Sequence, residues 1–107
     1  MLGHLEENVL LAVLELEKTD EGAFGLSVFY KLKVNGIGVV NGSVYNTLDR
    51  LENKGLLRSQ MTEPIAERGG RRKRIYFLEE KGLKMLQDSY SQKRSAIFNL
   101  ETALNNV

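Results

Sequence analysis

Residues 42–78 constrain the fold more than any other part of this chain, because a helix pattern is followed directly by a hairpin pattern. Asn41 is a suitable N-cap for a helix over about residues 42–54, and Gly55 is placed to end it as a C′ glycine. One face of this helix is apolar at helical spacing, with Val44, Leu48 and Leu51. At about 100° per residue, the opposite face carries Asn46, Asp49, Arg50 and Asn53, with Ser43 and Tyr45 flanking it.

Two strands are predicted after this helix, over residues 56–62 and 73–78. The loop between them contains Pro64, Gly69 and Gly70, which favour a turn. The basic residues of this loop and of the strand that follows are Arg68, Arg71, Arg72, Lys73 and Arg74. A polar helix face beside a hairpin with a cationic tip suits a DNA duplex, which offers a groove to fill and phosphates to bind. We therefore predict a DNA-binding site here, with residues 56–78 as a wing.

The charge distribution supports this prediction, although the net charge of the chain is only +1. Residues 1–23 contain six acids and one base and carry −5, whereas residues 50–74 contain eight bases and three acids and carry +5. The basic charge is therefore concentrated at the predicted site, where it would attract phosphate groups.

Two further helices are predicted before the central one. Residues 5–16 are apolar around most of the helix circumference, so several sides need cover, and we expect a second subunit on one of them. Residues 25–34 form the next helix, which ends at Asn35-Gly36 and continues through residues 37–40 into the central helix. Two short helices on either side of a compact connector indicate a helix-turn-helix, whose second helix enters the major groove.

A long final helix is predicted from about Glu79 towards Asn106. A heptad a/d register runs along it through Leu83, Leu86, Tyr90, Lys93, Ile97, Leu100, Leu104 and Val107, with Lys93 as the one charged position. A helix of this length cannot bury its stripe against so small a core, so a second copy of the chain is the expected cover. The predicted homodimer interface comprises Leu5, Val9, Val13, Leu83, Leu86, Tyr90, Ile97, Leu100 and Leu104.

The expected fold class is α+β and mostly α. A winged helix-turn-helix domain is expected over residues 1–78 and a C-terminal dimerisation helix over residues 79–107. The chain has no Cys, which excludes disulfides, thiolate metal sites and cysteine nucleophiles. The absence of Cys also favours a reducing, cytoplasmic location. Because the sequence has no long apolar run and no secretory leader, we expect no membrane partner.

Asn46 and Arg50 are the candidates for contacts with base edges. Asn can pair bidentately with adenine and Arg with guanine. For Arg50, the alternatives are a phosphate contact or an ion pair with Glu52 or Asp49.

The remaining DNA-binding candidates are expected at the sugar–phosphate backbone. Ser43 lies near the helix start, where the helix dipole favours phosphate. Tyr45 is placed to contact a phosphate or, away from the backbone, a thymine methyl, or to pack half-buried. The basic wing residues are expected to contact phosphate, although strand alternation allows that only one of Lys73 and Arg74 faces DNA.

Catalysis is not expected, because the chain has no Cys, no clustered His and no carboxylate pair in a recognisable cleft. Residues 36–42 are rich in glycine, but their spacing and their position after a helix do not fit a dinucleotide-binding loop. His4 is the only histidine and lacks further metal ligands nearby. We therefore expect no metal and no cofactor. The alternative function is a winged-helix protein-interaction module whose basic wing binds an acidic protein partner. Such a module should show little salt-sensitive binding to duplex DNA.

The central segment GSVYNTLDRLENKGLL, residues 42–57, resembles the PadR family of bacterial winged-helix repressors. The similarity continues through ERGGRRKRIYFL, residues 67–78, and Gly82, and Ala23-Phe24-Gly25 resembles the Ala-Tyr-Gly of the family. The resemblance implies a homodimer that binds a pseudo-palindromic operator and represses transcription, often of detoxification or efflux genes. It also implies dimerisation through the first and last helices.

In length the chain is similar to the small subfamily, which has a single C-terminal helix. Some members bind flat aromatic compounds between the subunits through tryptophans. This chain has no Trp, and Tyr90 and Phe98 are the aromatic residues that could take such a role. A small-molecule effector is therefore left open.

Overall fold

The computed structural model describes residues 2–63 and 72–106. These residues form, in order, α1 (His4–Leu16), α2 (Gly25–Val34), α3 (Asn41–Asn53), β1 (Leu57–Met61), β2 (Arg74–Leu78) and α4 (Glu80–Asn105). The molecule measures 64 × 26 × 24 Å, because α4 extends beyond the body formed by the other elements. Arg68 and Arg71 of the predicted wing loop, and Val107 of the heptad register, lie outside the described residues.

The core forms where the apolar faces of the helices meet the base of the hairpin. Helix α1 lies at its centre and contacts α2, α3, β2 and α4. The buried apolar residues are Val9, Leu10, Ala12, Val13, Ala23, Val28, Leu32, Val44, Leu48, Leu51, Leu56, Leu57, Tyr76 and Leu86. The apolar circumference of α1 is therefore covered largely within one chain.

Helix α3 starts one residue earlier than expected. Val40, with an extended backbone, is the N-cap, and Asn41 is the first helical residue, so the prediction of Asn41 as the cap is wrong. The reason is that the Val40 carbonyl already accepts from the Ser43 and Val44 amides, at 3.1 and 3.4 Å. The C-terminus agrees with the prediction, since Gly55 adopts a φ of 77° there.

The two strands pair antiparallel, with Leu57 opposite Leu78 and Met61 opposite Arg74. The Tyr76 amide donates to the Ala23 carbonyl at 2.7 Å, so the segment before α2 forms a one-residue bridge with β2. This bridge fixes the base of the hairpin against the start of α2. The described elements thus form a winged helix-turn-helix followed by a long C-terminal helix, and the predicted fold class is confirmed.

The helix predicted to dimerise is only partly covered in the single chain. Leu83 and Tyr90 are partly buried, whereas residues 91–106 are all exposed. Val9, Val13 and Leu86 have almost no accessible surface in the single chain. They therefore drop out of the predicted dimer interface, because a side chain already inside the core has no surface left to bury against a second chain. Within residues 2–63 and 72–106, no helix is both long and apolar enough to cross a membrane.

Candidate nucleic-acid interface

Helix α3 separates a buried apolar face from an exposed polar one. Val44, Thr47, Leu48 and Leu51 are buried, and the Thr47 hydroxyl is satisfied by donating to the Ser43 carbonyl at 2.7 Å. The exposed residues are Asn41, Gly42, Tyr45, Asn46, Asp49, Arg50, Asn53 and Lys54. Both predicted base readers, Asn46 and Arg50, are therefore on the accessible face of α3.

Arg50 lies towards the α1 side of this face, where its charge contributes to lowering the pKa of Glu6 after larger effects from Lys54 and Gly3. Neither Asp49 nor Glu52 forms an ion pair with Arg50 among the described residues. The Arg50 side chain is exposed.

Ser43 occupies the flank of α3 that faces the start of α1. It is partly buried and lines a groove of about 620 Å³ with His4, Leu5 and residues 37–40. It is therefore placed at the edge of the polar face, on the side away from the wing.

Tyr45 lies on the opposite flank, against the first turn of α2. A Cβ at Gly25 would lie 2.6 Å from the Tyr45 hydroxyl oxygen and closer still to two carbons of the ring. Only glycine leaves room for this ring, and Tyr45 remains 47% exposed. The packing interpretation of Tyr45 therefore holds for the ring edge next to Gly25, and a contact with DNA stays a prediction for the accessible part.

The start of β2 brings the described wing cations to the same place. Arg72, Lys73 and Arg74 line a cleft of about 330 Å³ together with Phe24, Gly25, Tyr45, Asp49 and Tyr76. This cleft, called here the α3–wing cleft, joins the polar helix face to the basic strand end. Its walls carry three cations and one carboxylate, so it favours an anionic ligand.

Lys73, just before β2, and Arg74, its first residue, differ in how they are held. The Lys73 ammonium lies 4.1 Å from the centroid of the Phe24 ring. Arg74 donates to the Ser59 hydroxyl at 2.9 Å, and that hydroxyl donates to Glu52 of α3. Arg74 therefore links the wing to α3, whereas Lys73 covers the start of α2.

Tyr76 is a member of the cleft that the sequence interpretation did not identify. It is buried, and burial raises the pKa of its hydroxyl, with a smaller contribution from Asp49. The tyrosine stays neutral and forms the floor of the cleft. The sequence places Tyr76 in the second predicted strand, but no local pattern indicates that it would line a cleft with the cations.

The described residues contain no group of three His, Cys, Asp or Glu side chains arranged to hold a metal ion.

The exposed part of α4 carries three of the predicted interface residues, Ile97, Leu100 and Leu104, which are 56%, 59% and 62% exposed. Phe98 is also exposed. The Lys93 ammonium lies 4.9 Å from the centroid of the Tyr90 ring. Leu5 and Leu83 are partly buried.

Residues 10–88 match the sequence profile of the transcriptional regulator PadR-like family. No curated protein matches the chain significantly.

Solved structures with the same fold come from several bacteria. A PadR-like transcription factor from Bacteroides fragilis is 26% identical, with a TM-score of 0.73 over 92% of this chain and 87% of that one. A PadR family transcription regulator from Clostridium difficile is 23% identical, with a TM-score of 0.75 over 95% and 99% of the two chains. One from Eggerthella lenta is 22% identical, with a TM-score of 0.70 over 94% and 85%.

Proposed function

Because the chain belongs to the PadR-like family of transcriptional regulators, we propose that it acts as a homodimeric repressor that binds a pseudo-palindromic DNA operator. Family membership makes DNA-binding transcription regulation the class of function. Homodimerisation, a two-fold operator and repression are what we propose beyond that class.

The observation that carries this proposal is the α3–wing cleft. Tyr45 and Asp49 of the exposed α3 face line this cleft together with the basic residues at the start of the second strand, Arg72, Lys73 and Arg74. With α3 in a major groove, Asn46 and Arg50 would reach base edges while Arg72 and its neighbours meet the adjacent phosphates. A helix for the groove and a basic hairpin for the backbone are the two parts that a winged reader of duplex DNA needs.

The apolar stripe of α4 supports the dimer. Ile97, Leu100 and Leu104 share one side of the helix and are exposed. Burying such a stripe against a second copy would stabilise a two-fold dimer by removing apolar surface from water. Two-fold symmetry would present two α3 helices, which must lie about 34 Å apart to enter successive major grooves on one side of a duplex.

Selection of binding sites from random duplexes with the purified chain tests this function. We expect an inverted repeat whose half-sites are about 10 base pairs apart, centre to centre. Fluorescence anisotropy on the selected duplex should then show affinity that falls steeply with salt, because each phosphate contact contributes about −0.9 to the log–log slope. In a cell-free transcription reaction, the protein should lower transcript levels only from a template with that site in its promoter.

Three results would contradict the proposal. A chain that ignores every duplex in dilute buffer does not act through DNA. A chain that binds an acidic peptide more tightly than duplex DNA is a protein-interaction module. A selected site without internal symmetry excludes the two-fold dimer as the binding species.

A further inference from the structure

Asp49 lies near the centre of the exposed face of α3. Each residue of an α-helix is rotated by about 100° from the one before it. On this basis Asn46 and Asp49 each lie about 30° from the line that points directly away from the buried face of α3, whereas Tyr45 and Arg50 lie about 70° from it. A carboxylate at this position would enter a groove as deeply as Asn46 does. It would enter more deeply than the predicted guanine reader, Arg50.

The surroundings of Asp49 do not explain the carboxylate as a structural group. It lines the α3–wing cleft beside Arg72, Lys73 and Arg74, yet it forms no ion pair and no side-chain hydrogen bond within residues 2–63 and 72–106. Arg74 is directed to Ser59, and the Lys73 ammonium lies over the Phe24 ring. The Asp49 side chain is exposed, and among the described residues its charge is committed to no ion pair.

A carboxylate at the centre of a DNA-facing surface opposes binding in general. It repels the phosphates that Arg72 and its neighbours attract, so it lowers affinity for duplexes of any sequence. It also accepts hydrogen bonds but cannot donate them. In the major groove, guanine and the thymine carbonyl present acceptors, which such a group repels, and adenine places its N7 acceptor beside its N6 amino group. Cytosine presents its N4 amino group, which is a donor. A carboxylate can therefore accept a hydrogen bond from cytosine without facing an acceptor on the same base.

Resting on the proposed DNA-binding function, we propose that Asp49 is a specificity-determining residue that accepts a hydrogen bond from the N4 amino group of a cytosine. It acts by selection against the alternatives. Guanine or thymine at that position leaves the carboxylate without a donor in a negatively charged groove, and adenine sets its N7 acceptor beside the donor. The wing cations supply attraction to all DNA, and Asp49 restricts which sequences benefit from it.

The experiment measures dissociation constants for wild type, Asp49→Ala and Asp49→Asn on the duplex selected by the wild-type protein. Each base pair of a half-site is changed in turn. At any cytosine that matters, a pyrimidin-2-one nucleoside, which lacks the 4-amino group, replaces the cytosine. Asp88→Asn removes an equivalent exposed charge from α4, outside the α3–wing cleft, and is the matched control.

For wild type and Asp88→Asn, we expect one cytosine per half-site whose replacement weakens binding roughly 5- to 150-fold. Asp49→Ala should lose that base preference and the penalty of the pyrimidin-2-one, and should bind random duplex more tightly than wild type does. Asp49 is exposed, so circular dichroism should show that all variants are folded.

Two outcomes would overturn the inference while leaving DNA binding intact. In one, Asp49→Ala keeps the wild-type preference at every base pair. In the other, it weakens binding to all duplexes by the same factor. If the wild-type chain selects no duplex at all, the proposed function itself fails.

Discussion

Lys93 of α4 forms a hydrogen-bonded ion pair with Glu7 of α1, 86 positions earlier in the chain. Glu7 is only 6% exposed and also accepts a hydrogen bond from Ser89. These contacts lie where α4 leaves the body of the molecule. They explain why the one charged position of the apolar heptad register is a lysine, since this side chain pairs within its own chain.

Glu6, the residue before Glu7 in α1, also forms an ion pair with a distant lysine. Glu6 accepts from Lys54, at the C-terminus of α3, at 2.7 Å and from the Gly3 amide at 3.0 Å. The first turn of α1 therefore contacts both the end of α3 and the exit point of α4, so the helix proposed to read DNA and the helix proposed to dimerise share one support.

We expect these two glutamates to make the stability of the fold depend on pH. Burial acts to raise the pKa of Glu7, but hydrogen bonds from Lys93 and Ser89 outweigh it, so the pKa is lowered. The pKa of Glu6 is lowered mainly by its hydrogen bonds from Lys54 and Gly3. The folded state thus binds these protons more weakly than the unfolded chain does. Their contribution to the free energy of unfolding is present above the unfolded pKa of about 4.3 and is lost as pH falls through the folded values.

Urea unfolding at fixed protein concentration between pH 7 and pH 3 measures this dependence. At neutral pH, Glu7→Gln should cost about 1–3 kcal/mol, because a buried charged acceptor is lost. The double variant Glu6→Gln/Glu7→Gln should lose less stability on acidification than wild type. Glu101→Gln, at an exposed position of α4, is the control. An acid dependence that is the same in the double variant and in wild type would show that other carboxylates cause it.

The elements were predictable because each has a local signal. Apolar spacing marked the helices, Gly55 marked the end of α3, and the turn residues of the loop marked the hairpin between the two strands. The same signals could not tell which chain buries an apolar residue. Val9 and Leu86 satisfied the pattern of an interface residue as well as that of a core residue, and only the tertiary packing decided between them.

The site was predictable to the extent that it lies on one helix face. Asn46 and Arg50 follow from the period of α3. Contacts between distant segments left no such trace: the partners of Glu6 and Glu7 lie 48 and 86 residues away. The packing of Tyr45 on Gly25 and the position of Tyr76 beneath the wing cations likewise depend on how three elements meet.

The packing of Tyr45 on Gly25 gives a second prediction. Gly25→Ala places a methyl group where the ring lies, so the ring must move, at a cost of about 1–3 kcal/mol as in other overpacked sites. DNA affinity should fall with it, because Tyr45 lines the α3–wing cleft. Urea unfolding and anisotropy titration measure the two effects.

A double-mutant cycle isolates this contact. In a Tyr45→Ala background, Gly25→Ala should no longer destabilise, since the clashing ring is absent. Gly38→Ala is the control, because a Cβ at Gly38 meets no atom within 4 Å. Additive effects of Gly25→Ala and Tyr45→Ala would mean that the ring does not depend on the glycine.

The exposed stripe of α4 gives a third prediction, for the proposed dimer. Leu100→Glu/Leu104→Glu should yield a folded monomer in sedimentation velocity at micromolar concentration, because charged side chains oppose burial of the stripe. The fold should survive, since both leucines are exposed in the single chain. Asn99→Glu adds charge on the side of α4 away from the stripe and should leave the dimer intact. A double variant that sediments as wild type does would place the interface elsewhere.

Replacing Asn46 by alanine should affect DNA binding differently from replacing Arg72 by alanine. The reason is that base contacts depend on the DNA sequence, whereas phosphate contacts depend on the salt concentration. Arg72→Ala should weaken binding to selected and random duplexes by the same factor and reduce the magnitude of the salt slope by about 0.9. Asn46→Ala should cost about 1–3 kcal/mol on the selected duplex and leave random duplex unaffected, since only a matched base pair uses its amide. Titrations of both duplexes at two salt concentrations separate the effects, with Lys84→Ala, an exposed α4 cation, as control. A uniform loss for Asn46→Ala would remove it from the base readers, and an unchanged slope for Arg72→Ala would place it away from phosphate.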